Sequence, residues 1–152
     1  LATADPANAG FYQKRLASYV SQIEALDTAI KDSMAQLPVD RRTVVTSHDA
    51  FQYFGRAYGL IFLAPQGLST ESEASAEDVA KLIKQIRAEK IKAVFVENLS
   101  DSRLIERIAE ETGASVGGTL YPGALSPTDG PAATYLDMLR TNARVIRGAL
   151  SQ

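Results

Sequence analysis

The sequence predicts an α/β fold: a three-layer sandwich whose four-stranded, mainly parallel sheet is flanked by helices and preceded by one long linking helix. Three observations predict it. Short β-branched or apolar runs alternate with segments of helical period, strand then helix, four times along the chain. The runs are continuously apolar, which marks strands buried on both faces. Ahead of them lies a helical stretch longer than a domain of this size normally uses.

The elements read in order. Asp5-Pro6 pairs a capping residue with Pro at a first helical position. From residue 11 to about residue 37, apolar side chains recur at helical spacing, and Pro38 stops the run. Leu16, Val20, Ile23, Leu26 and Ile30 form its stripe. Thr43-Val44-Val45-Thr46 reads as a first strand. Residues 50–58 make a short helix with Phe51, Phe54 and Tyr58 on one side, closed by Gly59. Leu60-Ile61-Phe62-Leu63 is a second strand, and 65–74 a polar loop turning at Gly67. Ser75-Ala76-Glu77-Asp78 is a capping box with Asp in the acidic place. It opens a helix whose apolar face is Val79, Leu82, Ile83 and Ile86. Ala93-Val94-Phe95-Val96 is a third strand. Ser100 is placed to cap a helix that Gly113 ends, and 114–120 supply a fourth strand. After the loop 121–130, Asp129-Gly130-Pro131 reads as the start of a last helix, with Asp129 as its cap.

Composition excludes several classes. Hydrophobic residues are 45% and charged residues 22%, an ordinary globular mixture. A net charge of −2 gives no footing for nucleic-acid binding. No apolar run approaches the roughly 18 residues that span a bilayer. With no cysteine, disulfides, thiolate metal sites and Cys nucleophiles are excluded. The chain opens Leu1-Ala2-Thr3 with neither Met nor a signal-peptide pattern, so a removed leader or a missing N-terminal portion is expected.

In an open parallel sheet, ligands bind beyond the carboxyl ends of the strands. Those positions hold Ser47, His48 and Asp49 after the first strand and Pro65, Gln66 and Gly67 after the second. Glu97 and Asn98 follow the third, and the 121–129 loop follows the fourth. His48 is the chain's single histidine. It reads either as a metal ligand through a neutral imidazole nitrogen or as a polar turn residue. Asp49 reads as a helix-cap carboxylate before a ligand. Glu97 reads as a ligand, as a group orienting one, or as a solvated carboxylate. Neither a Gly-x-Gly-x-x-Gly nor a Gly-Lys-Ser/Thr phosphate loop is present, and no Gly-x-Ser-x-Gly elbow exposes a nucleophile.

The stretch Val45-Thr46-Ser47-His48-Asp49-Ala50-Phe51-Gln52-Tyr53-Phe54-Gly55-Arg56-Ala57-Tyr58-Gly59-Leu60 resembles the signature of zinc- and manganese-type solute-binding proteins of ABC importers. Val94-Phe95-Val96-Glu97-Asn98 and Gly130-Pro131-Ala132-Ala133-Thr134-Tyr135-Leu136-Asp137-Met138 resemble it too, in the same order. The resemblance implies two α/β lobes joined by a long helix, with the metal held in the cleft between them. On that reading residues 1–38 are the long linking helix and 39–152 the C-terminal metal-binding lobe, the N-terminal lobe and its two histidines being absent. His48 matches the C-lobe histidine. Gly123 stands where the family pattern has an Asp, and it has no side-chain donor. Asp129 or a water is left to fill that place, and Glu97 matches a family Glu beside the site. The metal positions implied are therefore His48, Glu97 and Asp129. The cargo is a divalent metal, leaning to zinc over manganese.

The partners implied are an ABC permease in the inner membrane and the missing lobe, and the location is periplasmic or cell-surface. No nucleic acid, catalysis or membrane-spanning segment is expected. A tight site needs about four donors, so the isolated chain is expected to bind metal weakly. Two rivals remain: a related binding or adhesion module with a degenerate metal site, favoured by Gly123, and a small α/β enzyme using His48 as general base with Asp49 or Glu97 orienting it.

Overall fold

The structure, a computed structural model, describes residues 1–65, 67 and 74–151. Gln66 and most of the polar loop expected over 65–74 lie outside the described residues. Helix α1 spans Ala9–Ala35, followed by β1 (Thr43–Val45), α2 (Gln52–Tyr58), β2 (Ile61–Leu63) and α3 (Ala76–Glu89). Then come β3 (Ala93–Glu97), α4 (Arg103–Thr112), β4 (Ser115–Leu120) and α5 (Tyr135–Leu150). All three strand pairings are parallel, in the order β2-β1-β3-β4.

Alternation along the strands builds the two outer layers. Val44, Phe62, Ala93, Phe95 and Leu120 pack with Ile30 and Met34 of α1 and with Ala143, Ile146 and Leu150 of α5. Val45 and Val94 point to the opposite face, where they meet Leu82 and Ile86 of α3 and Ile105 and Ile108 of α4. Full burial of each Val, Leu, Ile, Phe or Met side chain among these stabilises the fold by about 1.5–3 kcal/mol. On the first face α5 lies so close to β4 that a Cβ on Gly117 would sit 2.6 Å from the Phe95 ring and 2.7 Å from Ala149 Cβ.

Helix ends follow local chemistry. Gly59 and Gly113 close α2 and α4 at φ +70° and +75°, a region that favours glycine. Ser75 Oγ accepts from the Asp78 N–H at 3.1 Å, as the capping box requires. Tyr58 donates its hydroxyl to Asp27 Oδ1 at 3.0 Å and staples α2 to α1. The Lys31 hydrogen bond holds the Asp27 carboxyl below its usual value. Burial, then the bond to Asp27, pushes the Tyr58 hydroxyl up to about 12.

Three expectations are corrected. The chain at Asp5-Pro6 makes a separate 3-10 turn, and α1 begins only at Ala9. Asp5 caps no backbone; its carboxylate accepts from Asn8 Nδ2 and from the Tyr12 hydroxyl. The Leu16–Ile30 stripe is buried at its far end alone: Ile30 is 3% exposed, while Leu16 is 64% and Val20 39% exposed. Ser100 does not cap α4, because the Asp101 carboxylate takes the Arg103 N–H at 2.9 Å instead. The last helix starts at Tyr135, capped by Thr134, which accepts from the Asp137 N–H at 3.2 Å. Asp129 is therefore not a cap. Ser126 accepts from the Ala132 N–H and Thr141 donates to the Pro131 carbonyl, which holds Pro131 and Ala132 in a loop.

Candidate metal centre

The strand order decides where a ligand can sit. From β1 the chain turns to β2 on one side, and β3 then joins β1 on the other. The helices that follow β1 and β3 leave on opposite faces. A crevice therefore opens at the carboxyl ends of β1 and β3, the switch point of the sheet. His48 lies just beyond β1, and Glu97 is the last residue of β3. The sequence places both on the rim; the topology makes them neighbours.

Glu97 is 3% exposed, and its side chain is fully covered. Its Oε1 accepts the backbone N–H of Ser47 at 3.1 Å and of His48 at 3.2 Å. Its Oε2 is in contact with His48 Nδ1, and neither of these two atoms has any other partner among the described residues. A buried carboxylate needs compensation of this kind, and here two amides and an imidazole supply it. An ionised carboxylate only accepts, so His48 carries its proton on Nδ1. The lone pair of a neutral ring is then on Nε2. Nδ1 is inaccessible, so the 10% of the side chain that remains exposed lies on its other atoms.

The turn holding this ring is fixed from several directions. The His48 carbonyl accepts from Thr46 Oγ1 and from the Ala50 N–H, both at 3.0 Å. Ser47, 2% exposed, pairs its hydroxyl with that of Ser100 at 2.7 Å and bridges the loops after β1 and β3. Asp49 sits beside the site but caps nothing; its Oδ1 accepts from Gln52 Nε2 at 2.6 Å. Sequence reading missed the serine bridge, because no local pattern marks it.

The fourth strand brings the other wall. Asn142, 1% exposed, accepts the Tyr121 N–H and donates to the Tyr121 carbonyl, each at 2.9 Å. Asn98 Nδ2 donates to the Ala124 carbonyl at 3.2 Å, tying the ends of β3 and β4 together. Gly123 lies between these clamps. A Cβ there would meet only Leu99 Cδ1 at 4.0 Å, an ordinary contact. Asp129 is exposed. Among the described residues no three His, Asp or Glu side chains converge on one point, so His48 and Glu97 form a pair that Asp129 does not join.

Comparison with known proteins adds to this geometry. The model of the family described as zinc-uptake complex component A, periplasmic, matches residues 1–149. The manganese-binding lipoprotein MntA of Bacillus subtilis is 36% identical over 152 residues, covering 97% of this chain and 50% of that protein. The zinc-binding protein TroA of Treponema pallidum is 34% identical over 146 residues, covering 93% of this chain and 47% of that one. The solved periplasmic zinc binding protein TroA superposes with a TM-score of 0.94 at 32% identity, covering 99% of this chain and 56% of that structure. The chain spans about half the length of the curated relatives it matches.

Proposed function

The chain belongs to the zinc-uptake complex component A family, and from that premise we propose that it is one lobe of a divalent-metal solute-binding protein, taking the cation on His48 Nε2. The observation that carries this reading is the Glu97 contact to Nδ1. That contact leaves the opposite nitrogen as the donor and stops the ring from rotating. Glu97 has both oxygens engaged, so it acts through His48 rather than on the metal. Asp129, or a water, enters the proposal as the donor in the place where Gly123 offers no side chain.

Residues 1–38 act here as the linking helix and 39–152 as the C-terminal lobe. The exposed apolar residues of the first half of α1, Phe11, Leu16 and Tyr19 among them, support that division, because a second lobe would cover them. The relatives carry zinc and manganese in their names, and a lone imidazole donor leans the preference to zinc. The cargo would pass to the permease of an ABC importer from the periplasm or the cell surface. Among the described residues no helix is long and apolar enough to cross a membrane. The enzyme reading is not favoured by these relatives, and the Ser47 hydroxyl that precedes His48 is buried and held by Ser100.

Metal analysis tests the proposal on the longer protein, containing both halves, as purified. Wild type retains stoichiometric zinc or manganese, and His48→Ala loses most of it. A wild type that retains no metal would favour the degenerate module that Gly123 allows. Equal metal in both proteins would remove His48 from the site.

A further inference from the structure

Helices α1 and α5 lie side by side, and a hollow of about 690 Å³ opens between them. Leu26, Ala29 and Ala143 give it an apolar lining, and Arg140, Arg144 and Arg147 a cationic one. The three arginines are exposed and stand at i, i+4 and i+7 on α5, so they form one stripe roughly 10 Å long. Asp137 accepts from Arg140 at 2.7 Å, and Gln36 Oε1 accepts from Arg147 at 2.8 Å. Arg144, between them, has no hydrogen bond or ion pair among the described residues. Among those residues no carboxylate lines the hollow: Glu24, Asp27 and Asp32 of α1, and Asp40 in the turn after it, all lie outside it. Like charges one turn apart on a helix repel, so the stripe is strained until an anion meets it.

We propose that this groove docks an acidic amphipathic helix of another polypeptide. A helix laid between α1 and α5 sets its apolar side chains against Leu26, Ala29 and Ala143. Carboxylates at the same i, i+4, i+7 spacing on it face the arginines in register, because both helices rise equally per residue. Close approach is open: a Cβ on Gly148, which also lines the groove, would meet nothing within 4 Å. A second copy of this chain is disfavoured, because no described helix of it carries three carboxylates at that spacing. A bilayer surface is disfavoured because it is flat, whereas Ala143, 6% exposed, is recessed between the two helices. Arg144 and Gly148 also border the hollow that reaches Ser115 at the amino end of β4, the pole opposite the His48 rim. An occupant therefore leaves the metal site open. Exposed arginines make the interaction sensitive to salt.

The test is an NMR titration of the labelled chain with a capped helical peptide of three Glu-Leu-Ala-Ala-Glu-Leu-Ala repeats. Shifts are expected at the amides of Ala29, Ser33, Arg144 and Gly148, fading as salt rises. R144E/R147E, which changes two exposed side chains, is expected to weaken binding by about tenfold or more, equivalent to about 1.4 kcal/mol. K81E/K84E makes the same charge change on α3 and is expected to leave binding unaltered. Ala29→Arg adds a cation but obstructs the apolar lining, so it is expected to weaken binding rather than strengthen it. The peptide with Lys in place of Glu is expected to produce no shift at these positions. Shifts centred elsewhere, equal binding of the lysine peptide, or unchanged affinity in R144E/R147E would overturn the proposal. Tighter binding in Ala29→Arg would reduce the groove to a charge effect and overturn it as well. Binding to phosphatidylglycerol vesicles without any peptide response would assign the stripe to a membrane instead.

Discussion

Replacing Glu97 by Gln separates the two jobs its carboxylate performs. The amide oxygen still accepts the Ser47 and His48 N–H groups, now 3.1 and 3.2 Å from Oε1. A bond to a charged acceptor contributes about 1.5–3 kcal/mol and one to a neutral acceptor about 0.5–1.5 kcal/mol, so each weakens by about 1 kcal/mol. The expected loss is therefore about 2–3 kcal/mol including the imidazole contact, or a Tm lowered by roughly 4–12 °C at this chain length. The other amide position becomes an NH2 donor facing Nδ1. Nδ1 must then accept, the ring proton moves to Nε2, and the metal-facing lone pair disappears. Imidazole ¹⁵N shifts report this directly: protonated Nδ1 in wild type, protonated Nε2 in Glu97→Gln. In the two-lobe protein, metal affinity should fall about 10- to 100-fold. An unchanged tautomer together with unchanged affinity would refute the reasoning. Glu97→Ala is the poorer probe, because it leaves three buried polar groups unpartnered at about 1–3 kcal/mol each and threatens the fold.

Three further outcomes follow from the same coordinates. Gly123→Asp adds a carboxylate where a Cβ meets only Leu99 Cδ1 at 4.0 Å, so zinc affinity measured by competition should rise by about tenfold, or about 1.4 kcal/mol. Gly117→Ala pushes a methyl to 2.6 Å from the Phe95 ring and should cost about 1–3 kcal/mol, read as a lower Tm with metal binding unaffected. The Tyr58 hydroxyl is raised from 10.0 to about 12 in the folded chain, so the stability it contributes is complete below pH 10 and is lost as pH climbs towards 12. Denaturant melts should show that decline in wild type and a flatter profile in Tyr58→Phe.

Much of this fold is legible in the sequence where the causes are local. Gly59, Gly113 and Ser75 end or begin helices because backbone sign and side-chain reach are properties of a few residues. The strands show as continuous apolar runs because both faces are covered. The failures have long-range causes. Asp129-Gly130-Pro131 has the look of a helix start, but Ser126, Ala132 and Thr141 claim the segment from outside it. Ser100 is spaced to cap a helix, yet Ser47, 53 residues away, takes its hydroxyl. At the site, one histidine on a strand rim was readable. Glu97 was readable too, as a rim carboxylate able to orient a ligand; the strand order, which sets β1 beside β3, is what brings it onto an amide pair some 50 residues earlier.

The central claim is that His48 presents Nε2 to a cation while Glu97 holds Nδ1. The most direct measurement is a zinc titration of the chain followed by the imidazole ¹⁵N resonances, with His48→Ala alongside. The account predicts a saturable shift at Nε2, a protonated Nδ1 throughout, and loss of the binding signal in His48→Ala. Zinc binding of equal strength in His48→Ala, or an Nε2 resonance that stays still while zinc binds, would contradict it.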